Sequence, residues 1–394
     1  MSENQPRYQP ADVLRLAKRY RNDKRSYLLV NPLQAKHLPV SPARALAMMD
    51  SLGERLRARF PQAGLVVGFA ETATAIGAAV AARIGGACRY LQTTREAGEA
   101  GAEWLPFVEE HSHAVDQKLD GSFLRAWGAV APPVIFVDDE ISTGKTLLNA
   151  VTQMRSRYPA LAGVPVAAAS ILNRLTPENT ARLAAAGIVC ESLVRLPEVD
   201  YAAQVAPWPV EPPRDTPRAE GDPQTAGNLG VTNGPTPERW TADSPLPDPR
   251  RGVLGAAYRN ACEALGEAIA RQGFVADGQT ALVLGTEECM YPALVAGAAL
   301  ERRHPGARVF CHATTRSPIG IGAGAGYPIT EGYRLRSFYE SERVTYLYNP
   351  TRYDVALILT DAPSGDGGAE TDVAAALGAR GCGRLVVVRG GAHV

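Results

Sequence analysis

Asp138 and Asp139 end an apolar run, and the stretch from Val134 to Thr146 reads VIFVDDEISTGKT. Two adjacent carboxylates can grip a sugar diol or a hard cation. The turn of Ser142, Thr143, Gly144, Lys145 and Thr146, opening a helix, points backbone N–H groups and the positive end of a helix dipole at an anion. Together these describe a site for a sugar that carries a phosphate. A P-loop, GxxxxGK[ST], shares Gly144-Lys145-Thr146 but needs glycine at position 139, where an aspartate would repel a triphosphate. The plainer alternative is an acidic turn that only caps a helix.

An apolar run, an acidic pair and a Thr/Gly-rich loop resemble the fingerprint of the type I phosphoribosyltransferases. The resemblance implies that Asp138 and Asp139 hold the ribose diol of phosphoribosyl pyrophosphate together with Mg2+, and that Ser142, Thr143, Gly144, Lys145 and Thr146 hold its 5-phosphate. A second strand, turn and helix, GLVVGFAETATAIGAAV, offers Gly68, Phe69, Ala70, Glu71, Thr72 and Ala73 as the matching pyrophosphate loop. Glu71 is awkward there unless it holds magnesium or orients an amide. Thr93-Thr94-Arg95 ends another strand with hydroxyls and a guanidinium suited to phosphate oxygens. The Gly/Ala/Glu-rich piece after it, 96–103, has little to bury and suits a mobile cover.

Glu109-Glu110-His111-Ser112-His113 concentrates ionisable groups. On a strand Glu109, His111 and His113 share a face, which leaves zinc, a polar surface strand, or substrate binding and acid–base work as the readings. In the last of these His111 and His113 bond an acceptor heterocycle and Glu110 or its neighbour takes its proton. Lys36-His37 lies in a loop between prolines and is either solvated surface or a contact to pyrophosphate or to the base.

The elements around these residues read as an α/β chain. Buried strands of four to eight residues without polar alternation alternate with amphipathic or Ala-rich helices, the pattern of a parallel sheet. The first 25 residues are polar and basic, and LRLAKRYRNDKR among them suggests a short helix or an arm. The composition turns proline-rich over about 201–251, so the expected organisation is a phosphoribosyltransferase domain at 1–200, a linker at 201–251 and a second α/β domain at 252–394.

That second domain echoes the first. ALVLGTEECMYPALVAGAALERRHPGARVFCHATTRSPIG parallels GLVVGFAETATAIGAAVAARIGGACRYLQTTREAG, so that Gly68 matches Gly285, Arg95 matches Arg316 and Asp138 matches Asp361. The copy has APSGDGG in place of the phosphate turn. It reads as a degenerate phosphoribosyltransferase-like domain that covers the first site or binds another ligand, with Thr315, Arg316 and Ser317 as its polar strand end. Tyr333 to Tyr348 alternates aromatics and charges as a hairpin does.

The strings NPLQAKHLPV, GFAETATA, EEHSHA, VDDEISTGKT, LGTEECMYP and TTRSP resemble the bacterial orotate phosphoribosyltransferase-like proteins with a C-terminal TRSP domain. This implies transfer of ribose 5-phosphate to an unidentified base. By the same resemblance it implies pairing as a homodimer, partners encoded in the same gene cluster, and a link to tellurium resistance and stress. A sensor that binds phosphoribosyl pyrophosphate without turnover is the alternative. Lys plus Arg equals Asp plus Glu, 41 each, so no nucleic-acid or membrane partner is indicated. Six cysteines without CxxC spacing and the lack of a long apolar run suggest a cytoplasmic protein.

Overall fold

The computed structural model describes residues 8–22, 24–97, 103–107, 117–127, 132–216, 234–363, 365 and 367–391. In the first half, parallel strands lie in the order Arg89–Gln92, Leu65–Gly68, Val134–Ile141, Val166–Asn173 and Ile188–Arg195. Leu65–Gly68, Val166–Asn173 and the first four residues of Val134–Ile141 are buried without a break because both faces of the sheet are covered there. Val66, Ile135 and Val137 pack with helices Pro42–Arg59 and Thr74–Ile84, while Val67, Val134 and Phe136 pack with helix Lys145–Arg157. The close helix–strand approach at Thr74–Ile84 requires glycine, since a Cβ on Gly77 would lie 2.8 Å from the Gly68 Cα. Chain order reverses between Leu65–Gly68 and Val134–Ile141, and the loops leaving those two strands diverge to either side of a crevice.

The second half repeats this plan. Its parallel strands run Arg308–Ala313, Thr280–Gly285, Val355–Thr360, Arg384–Gly391 and Glu238–Pro245. The first four follow the same chain order as their counterparts in the first sheet. The proline-rich stretch is partly built into this half, since Glu238–Pro245 is its edge strand. Gly332–Arg336 and Val344–Tyr348 form the expected antiparallel hairpin.

The basic N-terminal segment differs from expectation: Arg15–Lys18 is a strand, antiparallel to Tyr27–Val30. Pairing of its backbone outweighs the helical reading, and it buries Ala17 with Leu28, Val30 and Ile319. One core joins the halves, because Pro42–Arg59 and Thr74–Ile84 pack on Gly255–Arg271 and Tyr291–Arg303. Among the described residues no helix is long and apolar enough to cross a membrane.

Candidate active site

At the reversal point the strand Val134–Ile141 outruns its apolar half, so Asp138, Asp139 and Glu140 are strand residues rather than loop residues. Asp138 pairs with Ser170 and Glu140 with Leu172 of the neighbouring strand. The backbone N–H of Asp139 donates to Asp138 Oδ1 at 2.9 Å. Burial raises the Asp139 carboxyl above its ordinary value, and the adjacent Glu140 adds to the effect. Burial would raise Glu140 as well, but Arg25 at 2.5 Å and Arg174 at 2.9 Å outweigh it and hold this carboxyl down. Glu140 therefore ties the N-terminal hairpin to the sheet.

Ser142 and Thr143 turn the chain, and Gly144, at φ 71°, starts helix Lys145–Arg157. A Cβ on Gly144 would also lie 2.7 Å from Leu183 Cδ1. Arg182 Nη2 donates to Thr143 O at 2.7 Å and braces the turn. Opposite, Phe69 to Thr72 leave their strand. Phe69 N donates to Val137 O at 3.0 Å and Ala70 N to Thr93 Oγ1 at 2.7 Å, and the Ala70–Glu71 peptide is cis.

Between these loops lies a cavity of about 490 Å³. Phe69, Ala70, Glu71, Thr72, Arg95, Asp138, Asp139 and all of Ser142, Thr143, Gly144, Lys145 and Thr146 line it, together with His37, Arg316 and Ser317. Gly68 and Ala73 stand behind the wall: a Cβ on Gly68 would meet Tyr90 Oη at 2.9 Å, and Ala73 N donates to Phe69 O at 2.9 Å. Thr315 is likewise behind it, exchanging backbone bonds with Tyr346. Glu110, His111 and His113 lie outside the described residues.

Lys36 and His37 are not solvated surface. Lys36 is 1 % exposed and sits away from the wall, paired with Glu71, while its Nζ donates to Glu287 O and Thr314 O at 3.1 Å each. Burial would raise Glu71, but Lys36 and Arg316 outweigh it and hold its carboxyl down at about 2. The Glu71 charge is therefore offset by the internal cations Lys36 and Arg316. His37 is 3 % exposed, and neither ring nitrogen has a partner among the described residues. Burial, with Lys36 beside it, pushes the imidazole down to about 3, so it is neutral.

Arg19, Arg21, Asn22 and Arg25 complete the cavity from the N-terminal hairpin. The sequence offered only a basic run as their signal. Tyr20 N donates to Pro318 O at 2.9 Å and Gly320 N to Lys18 O at 2.8 Å, so hairpin and TTRSP string form one roof.

Residues 13–197 match the family model described as phosphoribosyl transferase, and residues 250–375 match the TRSP domain, C-terminal to that transferase. The chain thus carries a phosphoribosyl transferase-type region followed by a TRSP-type region. Solved structures similar to the transferase domain include APRTase from Giardia lamblia complexed with 9-deazaadenine, at 17 % identity and TM-score 0.35. The match covers 47 % of this chain and 94 % of that one. Adenine phosphoribosyltransferase from Saccharomyces cerevisiae is also 17 % identical, with TM-score 0.33, over 45 % of this chain and 94 % of that one. The Trypanosoma brucei enzyme, in complex with AMP, pyrophosphate and ribose-5-phosphate, is 16 % identical, with TM-score 0.34, over 46 % and 76 %. No curated protein matches the chain.

Proposed function

We propose that the protein transfers ribose 5-phosphate from phosphoribosyl pyrophosphate to a nitrogen of a small heterocyclic base, releasing pyrophosphate. Its product is a nucleotide-like metabolite, the kind that the resemblance ties to stress or tellurium resistance. One observation carries this reading: the adjacent carboxylates Asp138 and Asp139 and the N-terminus of helix Lys145–Arg157 line a single cavity opposite the loop 69–72.

In this reading the turn from Ser142 to Thr146 takes the 5-phosphate and the two aspartates take the ribose hydroxyls. The amides of the loop 69–72, with Arg95, receive the departing pyrophosphate. Departure leaves an oxocarbenium-like carbon, so the barrier falls by stabilising the leaving anion rather than by a strong nucleophile. Binding energy gathered at the remote 5-phosphate fixes the anomeric carbon. Mg2+ suits the hard oxygen donors of Asp138 and Asp139, which would hold it with phosphate oxygens, and it would supply charge neutralisation to the leaving group. Neutral His37 offers one donor and one acceptor to base or phosphate and does not act as a proton donor near pH 7.

The test is pyrophosphate release from phosphoribosyl pyrophosphate and magnesium, run against orotate, uracil and the purine bases. Asp138→Asn/Asp139→Asn abolishes acceptor-dependent release while leaving the far-ultraviolet circular dichroism unchanged. Wild-type rates in that double variant would refute the assignment.

A further inference from the structure

The two halves make reciprocal contacts, as the members of a two-fold pair do. Val40, just before helix Pro42–Arg59, bonds the edge strand of the second sheet: Val40 N to Cys311 O at 3.0 Å and Cys311 N to Val40 O at 2.8 Å. Val253–Leu254, just before the corresponding helix Gly255–Arg271, pairs antiparallel with Arg89 and Tyr90 on the edge of the first sheet. Each half thus lends the other an edge segment at the same place.

A second reciprocity lies at the strand ends. Glu288, three residues after Gly285, accepts from Thr94 Oγ1 at 2.8 Å and from Arg95 N at 2.9 Å. Glu71, three residues after Gly68, accepts from Arg316 N at 3.3 Å. Each glutamate holds the Thr-Arg corner of the opposite half.

What breaks the symmetry is the crevice. In the first half Asp138 lines the open cavity. Its counterpart Asp361 accepts from Arg250 Nη1 at 2.7 Å and from the Tyr339 hydroxyl, and Arg250 Nε also reaches Glu288 at 3.3 Å. A buried carboxylate needs a cation, and here the chain supplies one of its own. Meanwhile Arg316, Ser317 and Pro318 of the second half wall the cavity of the first.

We propose that the TRSP domain is an internal partner copy of the transferase domain. It completes one working cavity per chain in cis, while its own crevice is closed by Arg250. The ligand in this statement rests on the transferase reading; the pairing does not, and two measurements on the full chain separate them. Val40→Cys places a thiol opposite the native Cys311 across a narrow backbone pair, within disulfide reach. Oxidation gives an intrachain crosslink that runs as a monomer on a non-reducing gel. A covalent dimer, or no crosslink, overturns the pairing in cis. Calorimetry with magnesium and phosphoribosyl pyrophosphate gives one site per chain, and none in Asp138→Asn/Asp139→Asn. Two sites, or residual binding in the double variant, overturns the closed second crevice. A crosslinked monomer whose wild-type parent binds no phosphoribosyl pyrophosphate supports the pairing and sinks the transferase reading.

Discussion

Lys36→Met tests whether the join between the halves is held by buried charge. Lys36 Nζ has three donors, and its surroundings provide the Glu71 carboxylate and the carbonyls of Glu287 and Thr314. Methionine keeps most of the side-chain volume and removes the charge. Removing one partner of a buried ion pair costs about 3–5 kcal/mol, because the other charge is left uncompensated. The Glu71 carboxyl gives a second route to the figure: its descent from 4.5 to about 2 corresponds to about 3 kcal/mol at neutral pH. Arg316 supplies part of that, and burial outweighs Glu71 at Lys36 itself and lowers its ammonium, so the lower end of the range, about 3 kcal/mol, is the expected loss. The sign follows from the lowered carboxyl. Its contribution is complete above pH 4.5 and is lost as pH falls toward 2. Urea unfolding at pH 7 and pH 3 should therefore show a gap between wild type and variant that narrows in acid. Lys36→Met/Glu71→Gln, which removes both charges, should recover part of the loss. A gap under about 1 kcal/mol at pH 7, or one that persists unchanged at pH 3, would refute the reasoning.

Three further outcomes follow from the same geometry. Gly144→Ala places a side chain at positive φ and against Leu183, costing about 1–2 kcal/mol in chemical denaturation and weakening phosphoribosyl pyrophosphate binding; an unchanged titration would show that the turn is not the phosphate seat. Arg250→Met leaves Asp361 and Glu288 without their shared cation and should destabilise by about 3–5 kcal/mol in urea unfolding; a loss under about 1 kcal/mol would argue against that role for Arg250. His37→Phe should flatten the acid limb of stability. The wild-type imidazole, held at about 3 against an ordinary 6.5, loses its contribution as pH falls below 6.5, by about 2 kcal/mol at pH 5. Parallel stability curves for wild type and variant would contradict that.

Local structure was legible where one segment carried consecutive elements. The run from Val134 to Thr146 encodes strand, acids, turn and helix start in sequence order, so the positions of Asp138, Asp139 and the turn 142–146 could be read directly. Even there the strand runs on past the apolar residues, because the acids are kept in strand pairing by Ser170 and Leu172, which no local pattern announces. Lys36 shows the opposite case. A Lys-His pair between prolines has the composition of a surface loop, and it is buried only because Glu71, Glu287 and Thr314 converge on it from distant parts of the chain.

The sequence by itself determined the α/β class and most of the alternation of strands and helices, because hydrophobic period and turn chemistry act over a few residues at a time. Only the tertiary structure decided which strand ends form a cavity. Asp138 and Asp361 occupy matching places in matching units, yet one faces an open crevice and the other is held by Arg250. The difference lies in what a remote segment brings to each carboxylate. Arg19, Arg25 and the 316–318 string reach the first cavity by the same route, through pairing of the N-terminal hairpin with the second half. Such contacts depend on packing between segments hundreds of residues apart, and local propensity carries no record of them.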